Sequence, residues 1–195
     1  EIKPGDVVIP DQLFDFTRGG RKRSFFEGGV VAHVGMEPPF CTGLTAVLAD
    51  AALEADKKRT VHPRGNFITI EGPAFSTGAE SRIFQNWGMD IIGMTTSPEA
   101  HLAREAEICY AVMAHVTDYD VWRDSPVDNE EVVETFTKNL DFAVNALAEA
   151  VRRIDPYQDE AAHHALDRAV MSRTSRGKEQ AEQRLSLLLG DRFPR

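Results

Sequence analysis

The chain has 195 residues, with 22 Lys+Arg against 31 Asp+Glu, a net charge of −9, and a composition of 42% apolar and 27% charged side chains, which is that of one globular domain long enough to build a core. The acidic balance excludes the clustered cations that a nucleic-acid or anionic-membrane partner requires, since the only basic run is Arg18 with Arg21-Lys22-Arg23 beside glycines. No apolar stretch reaches the ~20 residues that span a bilayer, the opening Glu1-Ile2-Lys3-Pro4-Gly5-Asp6 does not read as a signal peptide, and two cysteines, Cys41 and Cys109, argue against a disulfide framework and for a reducing, cytoplasmic setting.

In chain order, a turn at Lys3-Pro4-Gly5-Asp6 leads into a short buried strand, Val7-Val8-Ile9-Pro10. Residues 11–39 form a Gly- and Pro-rich stretch that reads as one long loop. Residues 42–58 predict a helix, with Leu44, Val47, Leu48, Ala51 and Leu53 near a 3.6 period. Phe67-Ile68-Thr69-Ile70 is a strand, residues 79–87 a helix, and Asp90-Ile91-Ile92-Gly93-Met94 the next strand. Ser97, Pro98 and Glu99 then supply an N-cap, a first-turn proline and an acid for another helix. Residues 109–114 are apolar throughout, as a strand covered on both faces would be. Asp128-Asn129-Glu130-Glu131 is a capping box that opens the longest helix. Its stripe of Val133, Phe136, Leu140, Ala143, Leu147, Ala150 and Ile154 predicts a core-facing surface. A last helix is expected over residues 178–189. The alternation of strand and helix gives an α/β fold, whose ligands sit beyond the carboxyl ends of its strands.

Three of those ends carry unusual residues. In an extended chain, Asp118 and Asp120 of Thr117-Asp118-Tyr119-Asp120-Val121-Trp122 point to one side. Two carboxylates in one pocket raise the pKa of one of them, and holding an Asp neutral at pH 7 costs roughly 4 kcal/mol. A neutral Asp donates a hydrogen bond and an ionised one accepts, which suits the N7 and N6-amino edge of adenine. A solvated Asp-rich turn and a divalent-metal Asp-x-Asp site remain open as readings of the same spacing. Phe75, after the Gly72-Pro73 turn, offers a face for a planar base. Thr95 and Thr96 precede a helix N-terminus, where an anion such as phosphate is favoured, and Met94 lies beside them. His33 follows glycines in the long loop.

Together, Thr69-Ile70-Glu71-Gly72-Pro73-Ala74-Phe75-Ser76, Ala79-Glu80-Ser81, Trp87-Gly88-Met89-Asp90, Met94-Thr95-Thr96-Ser97-Pro98-Glu99, Ala103-Arg104-Glu105, Cys109-Tyr110 and Thr117-Asp118-Tyr119-Asp120 form an ordered run. So do Pro4-Gly5-Asp6 with Asp11-Gln12, then Ser24-Phe25-Phe26-Glu27-Gly28, and Met36-Glu37-Pro38-Pro39-Phe40-Cys41. The run resembles the trimeric purine nucleoside phosphorylase family, in its S-methyl-5'-thioadenosine phosphorylase branch, from the first residue to about residue 139. The resemblance implies a purine nucleoside phosphorylase-like α/β fold, a mixed central β-sheet flanked by helices. It implies phosphorolysis of S-methyl-5'-thioadenosine to adenine and 5-methylthioribose 1-phosphate, a purine and methionine salvage reaction. Inorganic phosphate is the co-substrate, no other cofactor or metal is called for, and a homotrimer shares its sites between subunits.

Carried over by position, Phe75 stacks on the base, Met94 contacts the ribose and Thr95 touches phosphate. Asp118 and Asp120 hold the adenine edge, one of them protonating N7 as the base leaves. Ser76 matches a position tied to specificity. Asn129 stands at a second such position, where a small apolar residue is common. His33 matches a residue reaching the 5'-alkylthio end of the ligand in a neighbouring subunit, and Val132 matches part of that pocket's wall. A phosphorylase of broader or 6-oxopurine preference, or a remnant that binds purine nucleosides without turnover, are the alternatives. The family's opening strand, its Gly-Thr phosphate loop, its Arg-His-Gly segment and its Thr-rich strand are not in this sequence. Residues 1–195 are therefore expected to be a single phosphorylase domain incomplete at its N terminus, with the N-terminal strands missing and negligible phosphorolysis by the chain alone.

Overall fold

The computed structural model describes residues 1–121, 129–156, 158, 160–171 and 178–190. Its elements are β1 (Val7–Val8), β2 (Gln12–Phe16), α1 (Thr42–Ala55), β3 (Val61–His62), β4 (Asn66–Ile70), α2 (Gly78–Asn86), β5 (Ile91–Gly93), α3 (Thr96–Glu105), β6 (Ala114–His115), α4 (Asn129–Arg153) and α5 (Lys178–Leu189), with a 3-10 turn at Ala161–His164 before α5. The strands make two mixed or parallel ladders, ordered β3-β1-β6 and β2-β4-β5. β1 runs parallel to β3 and antiparallel to β6, whereas β2, β4 and β5 are all parallel. β1 and β2 are successive pieces of one extended run, as are β3 and β4. Pro10 and Pro63, which carry no N–H for a ladder, stand where each run is interrupted. The break is bridged by Ile9 N–H on the His62 carbonyl and by Asp11 and Gln12 N–H on the Gly65 carbonyl.

The sequence places most elements within a residue or two, and five differences have physical causes. The stretch 11–39 is not one loop: Gln12–Phe16 pairs residue for residue with Asn66–Ile70, and a strand of that length needs only a neighbour to template it. Residues 109–114 do not form a long strand, because only Val7 and Val8 of β1 offer a partner, to His115 and Ala114. The Tyr110 carbonyl instead accepts the Cys41 N–H at the start of α1. Helix α1 stops at Ala55, since Asp56 is extended and its carboxylate accepts the Lys58 N–H at 2.9 Å. The cysteines are not separate: Cys41 and Cys109, 68 residues apart, form a disulfide with 5.5 Å between Cα atoms, a proximity that sequence spacing does not encode.

The fifth difference is in α4. Its buried face is Asn139, Phe142, Ala146 and Ala150, packed on Leu48, Ala49, Ala51 and Ala52 of α1 with Val7 and Ile9 beneath. Most of the predicted stripe points outward instead, with Val133, Phe136, Leu140, Leu147 and Ile154 between 41% and 63% exposed; Ala143 is half-buried, and of the stripe Ala150 reaches the core. Leu53 of α1 is likewise exposed. Counting apolar residues does not distinguish two interleaved faces; the face that packs is the one whose Phe142, Ala146 and Ala150 fit against Leu48 and the alanines of α1. A second cluster, Phe26, Val30, Leu166, Ala169, Leu185 and Leu189, fastens residues 25–34 to the C-terminal segment. There His33 N–H donates to the Ala169 carbonyl and Met171 N–H to the Val31 carbonyl.

Buried charges on α3 brace the same loop. Glu105, 5% exposed, accepts the Ser24 hydroxyl and the Phe25 N–H, both at 2.7 Å. Neighbouring Arg104 donates to the Pro38 carbonyl. Tight packing runs through the ladder as well, for a Cβ at Gly93 would stand 2.6 Å from Phe67 Cζ. Gly93→Ala is expected to destabilise the fold by about 1–3 kcal/mol through that overlap, read as a lower urea midpoint with an unchanged slope.

His115 sits edge-on to Phe142 at 5.9 Å, and burial, helped by the Arg59 charge, holds its pKa below the ordinary 6.5. Burial does the same to His101, against the pull of Asp15 and Glu105. The unfolded chain therefore takes up protons near pH 6.5 that the folded chain refuses, so stability is full above that pH and falls as pH drops below it. Melting temperature is expected to decline between pH 7 and pH 5, and His115→Gln to flatten part of that slope.

Candidate active site at the strand ends

The parallel strands β4 and β5 stop at Ile70 and Gly93 and hand over to helices α2 and α3, so both helix N-termini lie just past strand carboxyl ends. The β4 exit is residues 71–77. Thr77 caps α2 in a reciprocal box, its hydroxyl accepting the Glu80 N–H at 3.3 Å while the Glu80 carboxylate accepts the Thr77 N–H at 2.8 Å. Within this exit Phe75 is 46% exposed, and Ser76 is buried with its hydroxyl lacking a hydrogen-bond partner. The β5 exit carries Met94 and Thr95. Met94 lies directly over Gly72, whose φ of +67 and missing Cβ make room: a Cβ there would be 2.6 Å from Met94 Sδ.

Thr95 is exposed at the head of α3 and makes no side-chain capping bond. Ser97 has the extended φ/ψ of an N-cap ahead of Pro98, as expected, but its buried hydroxyl has no partner. The capping role assigned to its side chain is therefore not realised. Arg21, passed over in sequence as part of a short basic run, sends its guanidinium to carbonyls of both exits. Its signal was that run itself, a cluster of cations beside glycines in an acidic protein.

Asp118 and Asp120 follow β6. They do not alternate along an extended strand: Asp120 has φ +54, and its N–H donates to Asp118 Oδ1 at 2.7 Å. Asp118 Oδ2 accepts the Thr117 hydroxyl, also at 2.7 Å. This is the local geometry of the Asp-rich turn, since Asp and Asn tolerate the left-handed region and bond their own backbone two residues on. It nevertheless brings the two carboxyl groups together. Both line a cavity of about 730 Å³ between β5 and residues 114–120, with Ser81, His115, Ile91 and Ile92 among its other walls. Burial pushes the Asp120 carboxyl above its ordinary 3.8, and the Asp118 and Glu80 charges push the same way, against hydrogen bonds from the Ser81 hydroxyl and the Val121 N–H. One carboxyl of the pair is thus biased towards its neutral form.

The sequence-predicted residues are not all brought to that cavity. Phe75, Ser76, Met94 and Thr95 gather at the β4 and β5 exits and are not among its lining residues. Val132 is half-buried on α4, and His33 is exposed on its loop. Asn129 begins α4, with its side chain outside what the structure describes, and Trp122 and Asp128 lie outside the described residues. Sequence reasoning missed Ser81 and Glu80 as neighbours of Asp120, because they reach it from α2, about 40 residues earlier in the chain. Among the described residues the one grouping of three potential metal-ligand atoms is Cys41, Cys109 and Glu160, and both of its sulfurs are bonded to each other.

Comparison with known proteins places this arrangement. The S-methyl-5'-thioadenosine phosphorylase of Geobacter sulfurreducens is 44% identical over 192 residues, covering 97% of this chain and 66% of that protein. The protein of the same name from Pyrococcus horikoshii is 46% identical over 154 residues, covering 79% of this chain and 58% of its own. Among solved structures, a methylthioadenosine phosphorylase from an antarctic soil metagenomic library superposes with a TM-score of 0.88 at 39% identity, over 96% of this chain and 66% of that one. The methylthioadenosine phosphorylase of Schistosoma mansoni in complex with adenine gives 0.74 at 32% identity, over 95% and 66%. The chain spans less than two thirds of the length of these relatives. The model of the phosphorylase superfamily matches residues 1–152, and with strand exits, helix caps and paired aspartates ordered along that span, the chain belongs to the phosphorylase superfamily.

Proposed function

We propose that this chain supplies the base- and sugar-binding part of an S-methyl-5'-thioadenosine phosphorylase. The observation that carries the reading is the Asp118–Asp120 pair, joined by a 2.7 Å hydrogen bond at a cavity wall with one carboxyl biased towards its neutral form. A neutral Asp120 can give a proton to N7 while the Asp118 carboxyl accepts from the N6 amino group. In the proposed step a phosphate oxygen bonds C1', the C1'–N9 bond breaks, and its electron pair passes to the purine as N7 takes the proton. Met94 and Thr95 at the β5 exit are assigned to ribose and phosphate, Phe75 to the base, and Ser76 and Asn129 to specificity. The unpartnered Ser76 hydroxyl supports such a place for it. The reaction needs no cofactor beyond phosphate.

Assembly belongs to the same proposal. His33 is exposed on a loop fixed through its backbone to Ala169, and the apolar stripe of α4 is uncovered. Both support a homotrimer in which His33 and Val132 border the 5'-substituent pocket. A trimeric mass by light scattering is expected, and a monomer at all concentrations counts against shared sites. Cytoplasmic location is proposed with the salvage role; no described helix is long and apolar enough to cross a membrane.

Binding tests the function directly. Calorimetry is expected to show adenine and methylthioadenosine bound by the 195-residue chain in preference to hypoxanthine and inosine, with negligible adenine release when phosphate is added. Absence of binding sinks the reading, hypoxanthine preference favours the 6-oxopurine alternative, and steady release would show that these residues also build the phosphate side.

The two aspartates separate function from stability. Because the folded state raises the Asp120 pKa, its stabilising neutral form is lost as pH rises through the folded value. Asp120→Asn, which keeps the shape and suits a positive φ, is expected to raise the melting temperature at pH 7.5, with the gain vanishing near pH 4. Catalysis in the phosphate-competent protein is expected to fall about 10²–10⁴-fold in the same variant. Asp118→Asn keeps the acceptor for the Asp120 N–H, so its stability is expected to stay within about 1 kcal/mol while adenine affinity drops.

A further inference from the structure

The β4–β5 ladder ends at the pair Thr69–Gly93, and beyond it the two exits have no strand pairing to hold their separation. Arg21 occupies that gap. Its Nη1 donates to the carbonyls of Met94 at 2.5 Å and Ser97 at 2.7 Å. Its Nη2 donates to Glu71 O at 2.6 Å and Ile70 O at 3.4 Å, and its Nε to Glu71 Oε1 at 2.9 Å. All three nitrogens of the fork are engaged, and the side chain is only 21% exposed. The second oxygen of Glu71 accepts the Arg18 N–H at 2.8 Å, which ties the end of β2 into the same cluster.

We infer that Arg21 is a positioning residue: its planar fork sets the spacing between the β4 exit leading to Phe75 and Ser76 and the β5 exit bearing Met94 and Thr95. A carbonyl-to-carbonyl brace needs several donors fixed in one plane, which a guanidinium has and an ammonium lacks. The brace is transmitted without slack, because Met94 rests on Gly72, the residue after Glu71. The consequence for ligand affinity rests on the nucleoside-binding reading above; the bracing of the exits does not.

The test uses the full 195-residue chain labelled at its methionine methyl groups, five in number, with Met94 assigned through Met94→Leu. Arg21→Ala and Arg21→Lys are expected to collapse the Met94 resonance towards its random-coil position, while Met113, packed on the main core, stays in place and reports an intact fold. Glu71→Gln keeps the carbonyl contacts and is expected to leave Met94 where it is. Millimolar guanidinium chloride, against sodium chloride at equal ionic strength, is expected to restore Met94 in Arg21→Ala but not in Arg21→Lys. Adenine affinity is expected to fall about 100-fold in both Arg21 variants, the scale of a misplaced binding group, and to recover with guanidinium in the first. An unmoved Met94 in Arg21→Ala, or full adenine affinity in Arg21→Lys, overturns the inference. A wild-type chain that binds no adenine while Met94 collapses in both variants refutes the nucleoside reading and upholds the brace.

Discussion

Three parallel strands in register, β2, β4 and β5, are the constraint on which the rest of the molecule depends. Parallel strands deliver their carboxyl ends to one side, and the helices that follow return with their N-termini at that same edge. Thr17, Glu71 and Met94 leave the sheet together for this reason, although 77 positions separate the first from the last. The candidate residues of the β4 and β5 exits are thus neighbours by topology. What keeps them neighbours past the end of the ladder is a set of side-chain to backbone hydrogen bonds.

Other such bonds, to the loop between β2 and α1, come from charged groups placed where water is scarce. Arg104 and Glu105 on α3 are each 5% exposed, a costly location unless their hydrogen-bonding capacity is met. They meet it on the backbone of the loop between β2 and α1, at Pro38 and Phe25. A Gly-rich stretch that would otherwise wander is therefore fastened from one side by α3 and from the other by the apolar cluster around Leu166 and Leu185. His33 is carried at the outer part of that loop, with its position fixed by packing some 130 residues further on.

The aspartate pair shows how one local geometry serves two descriptions. Asp118 and Asp120 form a hydrogen-bonded turn, as their spacing and residue type allow. The same turn sets one carboxyl against Ser81 and near Glu80 in a partly dry environment, where ionisation is disfavoured. A turn in open solvent would not do this. Its chemical interest comes from what α2 places beside it.

By itself the sequence determined the α/β alternation and the positions of β4, β5 and the helices after them. Period, caps and turns are local properties and are written locally. Family membership was equally legible, because ordered runs such as Ile70-Glu71-Gly72-Pro73 and Ser97-Pro98-Glu99 survive in one dimension. Only the tertiary structure decided which face of α4 is buried, since that depends on the small alanines of α1. It decided that Cys41 meets Cys109 and that Gln12–Phe16 is a strand, since both require a distant partner. It also decided that Phe75 stands apart from the cavity beside the aspartates and that Arg21 braces the exits, because the reach of a long side chain across 50 to 76 residues of sequence is settled by folding alone.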